Sequence, residues 1–96
     1  MNILFHVTTG GGGALLAALA PAARRKGASF AAFFTHEGVL GLKDAPLLAA
    51  LAGAERVVVC EESWHRFCPG LECPVENGSQ TTNSALMAEA DKVVAL

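Results

Sequence analysis

Apolar residues in this chain come mostly in short unbroken runs separated by glycine, proline and charge. Asn2 to Val7 (NILFHV) is such a run and predicts a buried strand, ended by Thr8-Thr9 and the glycines Gly10 to Gly13. Ala14 to Lys26 is built from Ala and Leu, both strong helix formers. It closes on Arg24-Arg25-Lys26 and then Gly27, the charge and backbone signals of a helix C-terminus. Pro21 removes a backbone donor inside that stretch, so a kink or break is expected there. Ser29 to Thr35, with three phenylalanines, predicts a second buried strand that stops at His36-Glu37-Gly38. A second helix is expected from near Lys43 to Leu51, with Pro46 in its first turn and Gly53 as its stop. Arg56 to Cys60 is the clearest strand, with three consecutive valines after a charged start. Glu61 to Gln80 holds two prolines and two glycines and reads as irregular. Thr81-Thr82-Asn83 then caps a helix over Ser84 to Ala90, and Lys92 to Leu96 makes a final strand.

Strands and helices therefore alternate, and the strands are apolar throughout. That pattern predicts an α/β fold: a small doubly wound sheet, mostly parallel, of about four strands with helices on both faces. The common arrangement sets the first and third strands side by side. Ligands in such sheets bind beyond the carboxyl ends of the strands, where the strand order reverses. On this reading the Thr8 to Gly13 loop and Cys60 both lie there.

Composition narrows the class. Ninety-six residues are enough for one core, so residues 1–96 read as a single domain. Hydrophobic residues at 52% against 17% charged argue against intrinsic disorder. A net charge of −2 with scattered basic residues argues against direct nucleic-acid binding. The longest apolar run, Ala14 to Ala23, is too short to cross a bilayer and contains Pro21. Met1 leads into Asn2-Ile3-Leu4-Phe5 without a basic start, and a cytoplasmic chain is expected. Three cysteines are an odd number, and free thiols are the default in a reducing compartment.

Cys60 is the leading candidate for chemistry. At the end of a strand its sulfur can face helix N-terminal amides, which favour the thiolate needed for sulfur transfer. Glu61 and Glu62 oppose this with negative charge, while His65 and Arg66 offset it. The alternative is a small core side chain. Thr8, Thr9, Gly10, Gly11 and Gly12 form a candidate anion or substrate loop facing Cys60, with a plain turn as the alternative. They match neither a dinucleotide fingerprint nor a nucleoside-triphosphate loop, since Leu15 replaces the third glycine and no Lys-Ser or Lys-Thr follows. Cys60, Cys68, Cys73 and His65 form an alternative ligand set for zinc or an iron–sulfur cluster, although paired C-x2-C knuckles are missing. Cys68 and Cys73 are alternatively a redox pair, or either resolves Cys60. His36 shares the carboxyl rim and is placed to polarise a substrate. His6 reads as a hydrogen-bonded structural residue. Trp64 and Phe67 read as a satellite cluster or a partner-facing patch, and self-association is expected of so apolar a short chain.

The opening strand with its Thr/Gly loop, FFTHEGVLGL (Phe33 to Leu42), VVVC (Val57 to Cys60) and SALMAEADKVVAL (Ser84 to Leu96) resemble the DsrE/DsrF-like (TusD-like) sulfur-relay family over nearly the whole chain. The resemblance implies a flavodoxin-like fold, a cytoplasmic protein and assembly into trimers or hexamers. It also implies a persulfide carried on the strand-end cysteine, here Cys60, between sulfur donor and acceptor proteins, with no resident cofactor. The chain departs from the family in the acidic, bulky Glu61 to Arg66 stretch, the CPGLECP segment and a short connection after Gly38. The expectation is a small sulfur carrier with Cys60, His65 and His36 as its reactive groups. Its alternative is a non-catalytic oligomeric module holding zinc or a cluster.

Overall fold

The computed structural model describes residues 1–96. The elements follow in the order β1 (Asn2–Val7), α1 (Gly12–Arg25), β2 (Ser29–Phe34), a 3-10 segment (His36–Lys43), α2 (Ala45–Leu51), β3 (Arg56–Cys60), α3 (Glu61–Phe67), β4 (Glu76–Gly78), α4 (Gln80–Glu89) and β5 (Lys92–Ala95). Five strands form one sheet in the order β4-β3-β2-β1-β5, parallel throughout. This is the doubly wound α/β class that the alternating pattern predicts, with one strand more than expected.

The strand order corrects one expectation. The first and third strands are not neighbours: β2 lies between them, and the other neighbour of β1 is β5. The reason is legible in β2 itself. Five of its six residues are buried, so it is apolar on both faces and unsuited to an edge. Four strands step outward from β1 to β4, and only β5 returns. The reversal in strand order therefore falls between β1 and β5.

Period-two alternation divides the core between two layers. Phe5, Val7, Phe30, Ala32, Phe34 and Val59 face α1, the 3-10 segment, α2 and α3, while Leu4, Ala31, Phe33, Val58 and Cys60 face α4 alone. Phe30, Phe33 and Phe34 are fully buried, each contributing roughly 1.5–3 kcal/mol of transfer free energy. Trp64 belongs to the larger core, its indole N–H donating to the Leu71 carbonyl at 2.9 Å, and Phe67 packs against that core half-buried. Trp64 therefore forms neither a satellite cluster nor a surface patch.

Several boundaries shift for local reasons. Helix α1 runs through Pro21 without a break, because Pro21 faces solvent and the carbonyl it leaves unpaired can be hydrated. Gly27, at φ +77°, ends it as expected, with its amide on Arg24 O and the Ala28 amide on Ala23 O. The 3-10 segment was not expected. It crosses the end of β1 so closely that a Cβ on Gly38 would fall on the Val7 carbonyl oxygen. Within the supposedly irregular Glu61 to Gln80 stretch, α3 follows β3 directly, and β4 pairs with β3 from Val58↔Glu76 to Cys60↔Gly78. A two-pronged ion pair from Arg56 to Glu76, at 3.0 and 2.5 Å, holds that edge.

Candidate functional site

Strand β3 passes into α3 with no intervening loop, and Cys60 is both the last strand residue and the N-cap of the helix. Its sulfur is thus at the carboxyl rim of the sheet, against the first turn of α3. Cys60 is 8% exposed and lines two open cavities of about 380 and 370 Å³. The first is bounded by Thr35, His36, Ser63, Arg66 and Phe67, the second by Glu61, Gly78, Ser79 and Thr81; Glu62 and Gln80 border both. Gly78 is the neighbour of Cys60 across the ladder, where a Cβ would lie 2.5 Å from the Val58 side chain and 3.0 Å from the Thr82 hydroxyl.

Two buried hydroxyls stand behind the thiol. Ser63 Oγ accepts the His36 amide at 2.9 Å and lies 3.3 Å from Thr35 Oγ1. Burial is the largest single influence on the Cys60 thiol and pushes its pKa up. The hydroxyl and amide of Ser63, the Thr35 hydroxyl and the Glu62 amide together outweigh it and hold the thiol below its ordinary value. No capping hydrogen bond of regular geometry joins the sulfur to α3. The thiolate is therefore favoured by the sum of several loose donor contacts, not by one strong bond. His36, at φ +51°, is the one non-glycine residue in the left-handed region. For a residue without a glycine's freedom this conformation carries strain, and the Ser63 hydroxyl anchors its amide.

The other residues expected at the site fall in different places. His65 lines neither cavity; it is exposed on α3, 3.8 Å from Glu61. The loop of Thr8, Thr9, Gly10, Gly11 and Gly12 also lines neither, and β2 separates its strand from β3. That loop packs instead on the end of the β5 strand. The Thr8 amide and the Thr9 hydroxyl both donate to Leu96 O, at 3.4 and 3.1 Å, and a Cβ on Gly12 would lie 2.8 Å from the same oxygen. The loop therefore does not face Cys60, which corrects the shared placement expected at the reversal of strand order.

The zinc or cluster set does not converge either. No three His, Cys, Asp or Glu side chains are grouped to hold a metal ion. Cys60 packs with the α4 layer and Cys68 with the layer on the opposite face, so the sheet stands between their environments. Cys68 is 2% exposed, the Cys73 thiol donates to Val75 O at 3.2 Å, and all three cysteines are free thiols. His6 also departs from expectation. Its Nε2 is buried without a hydrogen-bond partner, and its ring stacks on Phe33 at 5.9 Å. Burial, and then the nearby His36, pull its pKa below the usual imidazole range.

Thr35, Ser63 and Gln80 were not anticipated from the sequence. Ser63 is three residues after the N-cap Cys60, the spacing of a capping box, and recognising α3 would have exposed it. No comparable signal marks Gln80, which reaches the site only through the fold. No helix of the chain is long and apolar enough to cross a membrane. No family model and no curated protein matches this sequence. The functional reading accordingly rests on the geometry around Cys60.

Proposed function

We propose that the protein is a sulfur carrier of the DsrE/DsrF-like kind, which accepts a persulfide sulfur on Cys60 and hands it to a protein partner. The observation that carries this reading is a cavity-lining cysteine at a strand-to-helix junction, with hydroxyl and amide donors that favour its thiolate. Loading is a displacement. The Cys60 thiolate attacks the outer sulfur of a donor persulfide, an S–S bond forms to Cys60, and the donor S–S bond breaks. The donor departs as a thiolate, and the persulfide proton remains on the new outer sulfur or passes to solvent. Transfer onward repeats the exchange: an acceptor thiolate takes the outer sulfur and Cys60 returns as thiolate. No net oxidation occurs. Thr35 and Ser63 donate to the anionic sulfur, and His36, exposed and bordering the same cavity, carries its proton.

The trimeric or hexameric assembly implied by the family likeness belongs to the same proposal. It is supported by the unpaired outer edge of β5 and an adjoining apolar groove of about 410 Å³, lined by Ile3, Phe5, Leu19 and Val94. Sedimentation equilibrium distinguishes a monomer from either assembly. Cytoplasmic location is part of the proposal as well, since a reducing compartment keeps the Cys60 thiol free to accept sulfur.

The decisive experiment incubates reduced protein with a small-molecule persulfide and maps the adduct by mass spectrometry. A gain of one sulfur on Cys60, lost on adding an acceptor thiol, is expected. Sulfur only on Cys73, or no gain at all, overturns the reading.

A further inference from the structure

The Cys60 cavity also carries a feature that sulfur transfer alone does not require. Arg66 lines it, and Arg66 is in no ion pair: the chain's salt bridges join Arg56 to Glu76 and His65 to Glu61. This holds although Glu62, one helical turn earlier, borders the same cavity. The Arg66 guanidinium is instead 5.3 Å from the centroid of the Phe67 ring, a cation set over an aromatic face. A guanidinium of this kind presents a planar fork of donors that matches a carboxylate. It shares the cavity with Cys60, a residue 8% exposed. A volume of about 380 Å³ is within the range of small-molecule sites, roughly 300–1,000 Å³.

We propose that the sulfur donor for Cys60 is a low-molecular-weight persulfide carrying a carboxylate, which docks on Arg66 over Phe67 while its outer sulfur reaches Cys60. The proposal rests on the sulfur-carrier reading for the identity of the transferred atom, but not for recognition of the carboxylate. The balanced step is CysS⁻ + RSSH → CysSSH + RS⁻, in which R bears the carboxylate and RS⁻ leaves as an ordinary thiolate. The charged and titratable groups bordering this cavity are Glu62, His36 and Arg66, and Glu61 borders the second. The two acids repel an anionic ligand, so any preference for carboxylate must come from Arg66.

Iodoacetate and iodoacetamide test recognition separately from sulfur transfer. They are nearly isosteric, and only the first bears a carboxylate. Alkylation of Cys60 by each is followed by peptide mass spectrometry and normalised to free N-acetylcysteine at equal thiolate fraction. The normalised preference for iodoacetate is expected to be about fivefold, the size of a partly exposed charge pair. Arg66→Gln should abolish it, Arg66→Lys should retain part of it, and the iodoacetamide rate should stay unchanged in both. No preference in the wild type, or one that survives in Arg66→Gln, overturns the proposal. The second arm compares cysteine persulfide with the persulfide of cysteine ethyl ester. Faster, Arg66-dependent loading by the acid is expected, and equal loading by both overturns the donor assignment. If neither loads Cys60 while the alkylation preference persists, the carrier reading and the persulfide class fall together and a carboxylate-recognising thiol remains.

Discussion

The hydroxyls of Thr35 and Ser63 stand 3.3 Å apart, both residues buried, one just past the end of β2 and the other in the first turn of α3. Because Ser63 also accepts the His36 amide, its own proton is free to be directed to Thr35 or to the neighbouring sulfur. One serine thus ties a strained turn to the electrostatics of a thiol.

Replacing Ser63 with Ala removes a donor from the sulfur and an acceptor from the His36 amide. The Cys60 pKa should rise, since burial then acts with less opposition. Thiolate absorbance against pH measures the shift. Loss of the buried acceptor should also cost roughly 1–3 kcal/mol of stability, read by urea denaturation. Ser63→Thr should restore most of both; an unchanged midpoint in Ser63→Ala removes Ser63 from the site.

The lowered Cys60 pKa links stability to pH. A folded-state pKa below that of the unfolded chain gives stabilisation that is fully present above the unfolded thiol value and is lost as pH falls through the folded one. The stability difference between wild type and Cys60→Ala should therefore grow in favour of wild type as pH rises through that window. Denaturant midpoints across the neutral to alkaline range check the sign; a difference that shrinks refutes it.

The three thiols should react in different ways. Cys60 borders open cavities and Cys73 is half-buried, so both should label in the native state. Cys68 is 2% exposed within the main core and should label only as fast as the chain unfolds. Mapping adducts over a time course separates them. Native-state labelling of Cys68 at the Cys60 rate contradicts this packing.

Gly38→Ala should destabilise the protein by more than about 2 kcal/mol, because its Cβ would meet backbone at Val7 that cannot rotate away. Gly10→Ala, where a Cβ meets nothing within 4 Å, should change stability by less than about 1 kcal/mol. Paired thermal denaturation of the two variants provides the comparison.

The class of fold was legible because its signals are local. Unbroken apolar runs at Asn2–Val7, Ser29–Phe34 and Arg56–Cys60 mark doubly buried strands, and Gly27 marks a helix end. The order of those strands was not legible from connection rules alone, although the two-sided burial of β2 is enough to exclude it from an edge. Helix α3 was hidden because it is seven residues long and is followed at once by Pro69 and Gly70. β4 was hidden because Glu76-Asn77-Gly78 carries no apolar signal and is held by backbone pairing and the Arg56 ion pair. For the site, Cys60 could be read from its position at a strand end. The misplacement of the glycine loop followed directly from the wrong neighbour assigned to β1. Thr35 and Ser63 meet across 28 residues of sequence, a proximity that no local pattern encodes.

The pairing of β5 with β1 has a consequence for how the chain reaches its native state. The strand latest in sequence completes the flank of the earliest, through contacts such as that of the Asn2 amide with the Asp91 carboxylate, 89 positions apart. Until residues 92–95 emerge from the ribosome, one side of β1 presents bare amides and carbonyls beside exposed apolar surface. A nascent or truncated chain is then open to capture by a stray strand, and chaperone demand should peak in that interval, before the sheet closes.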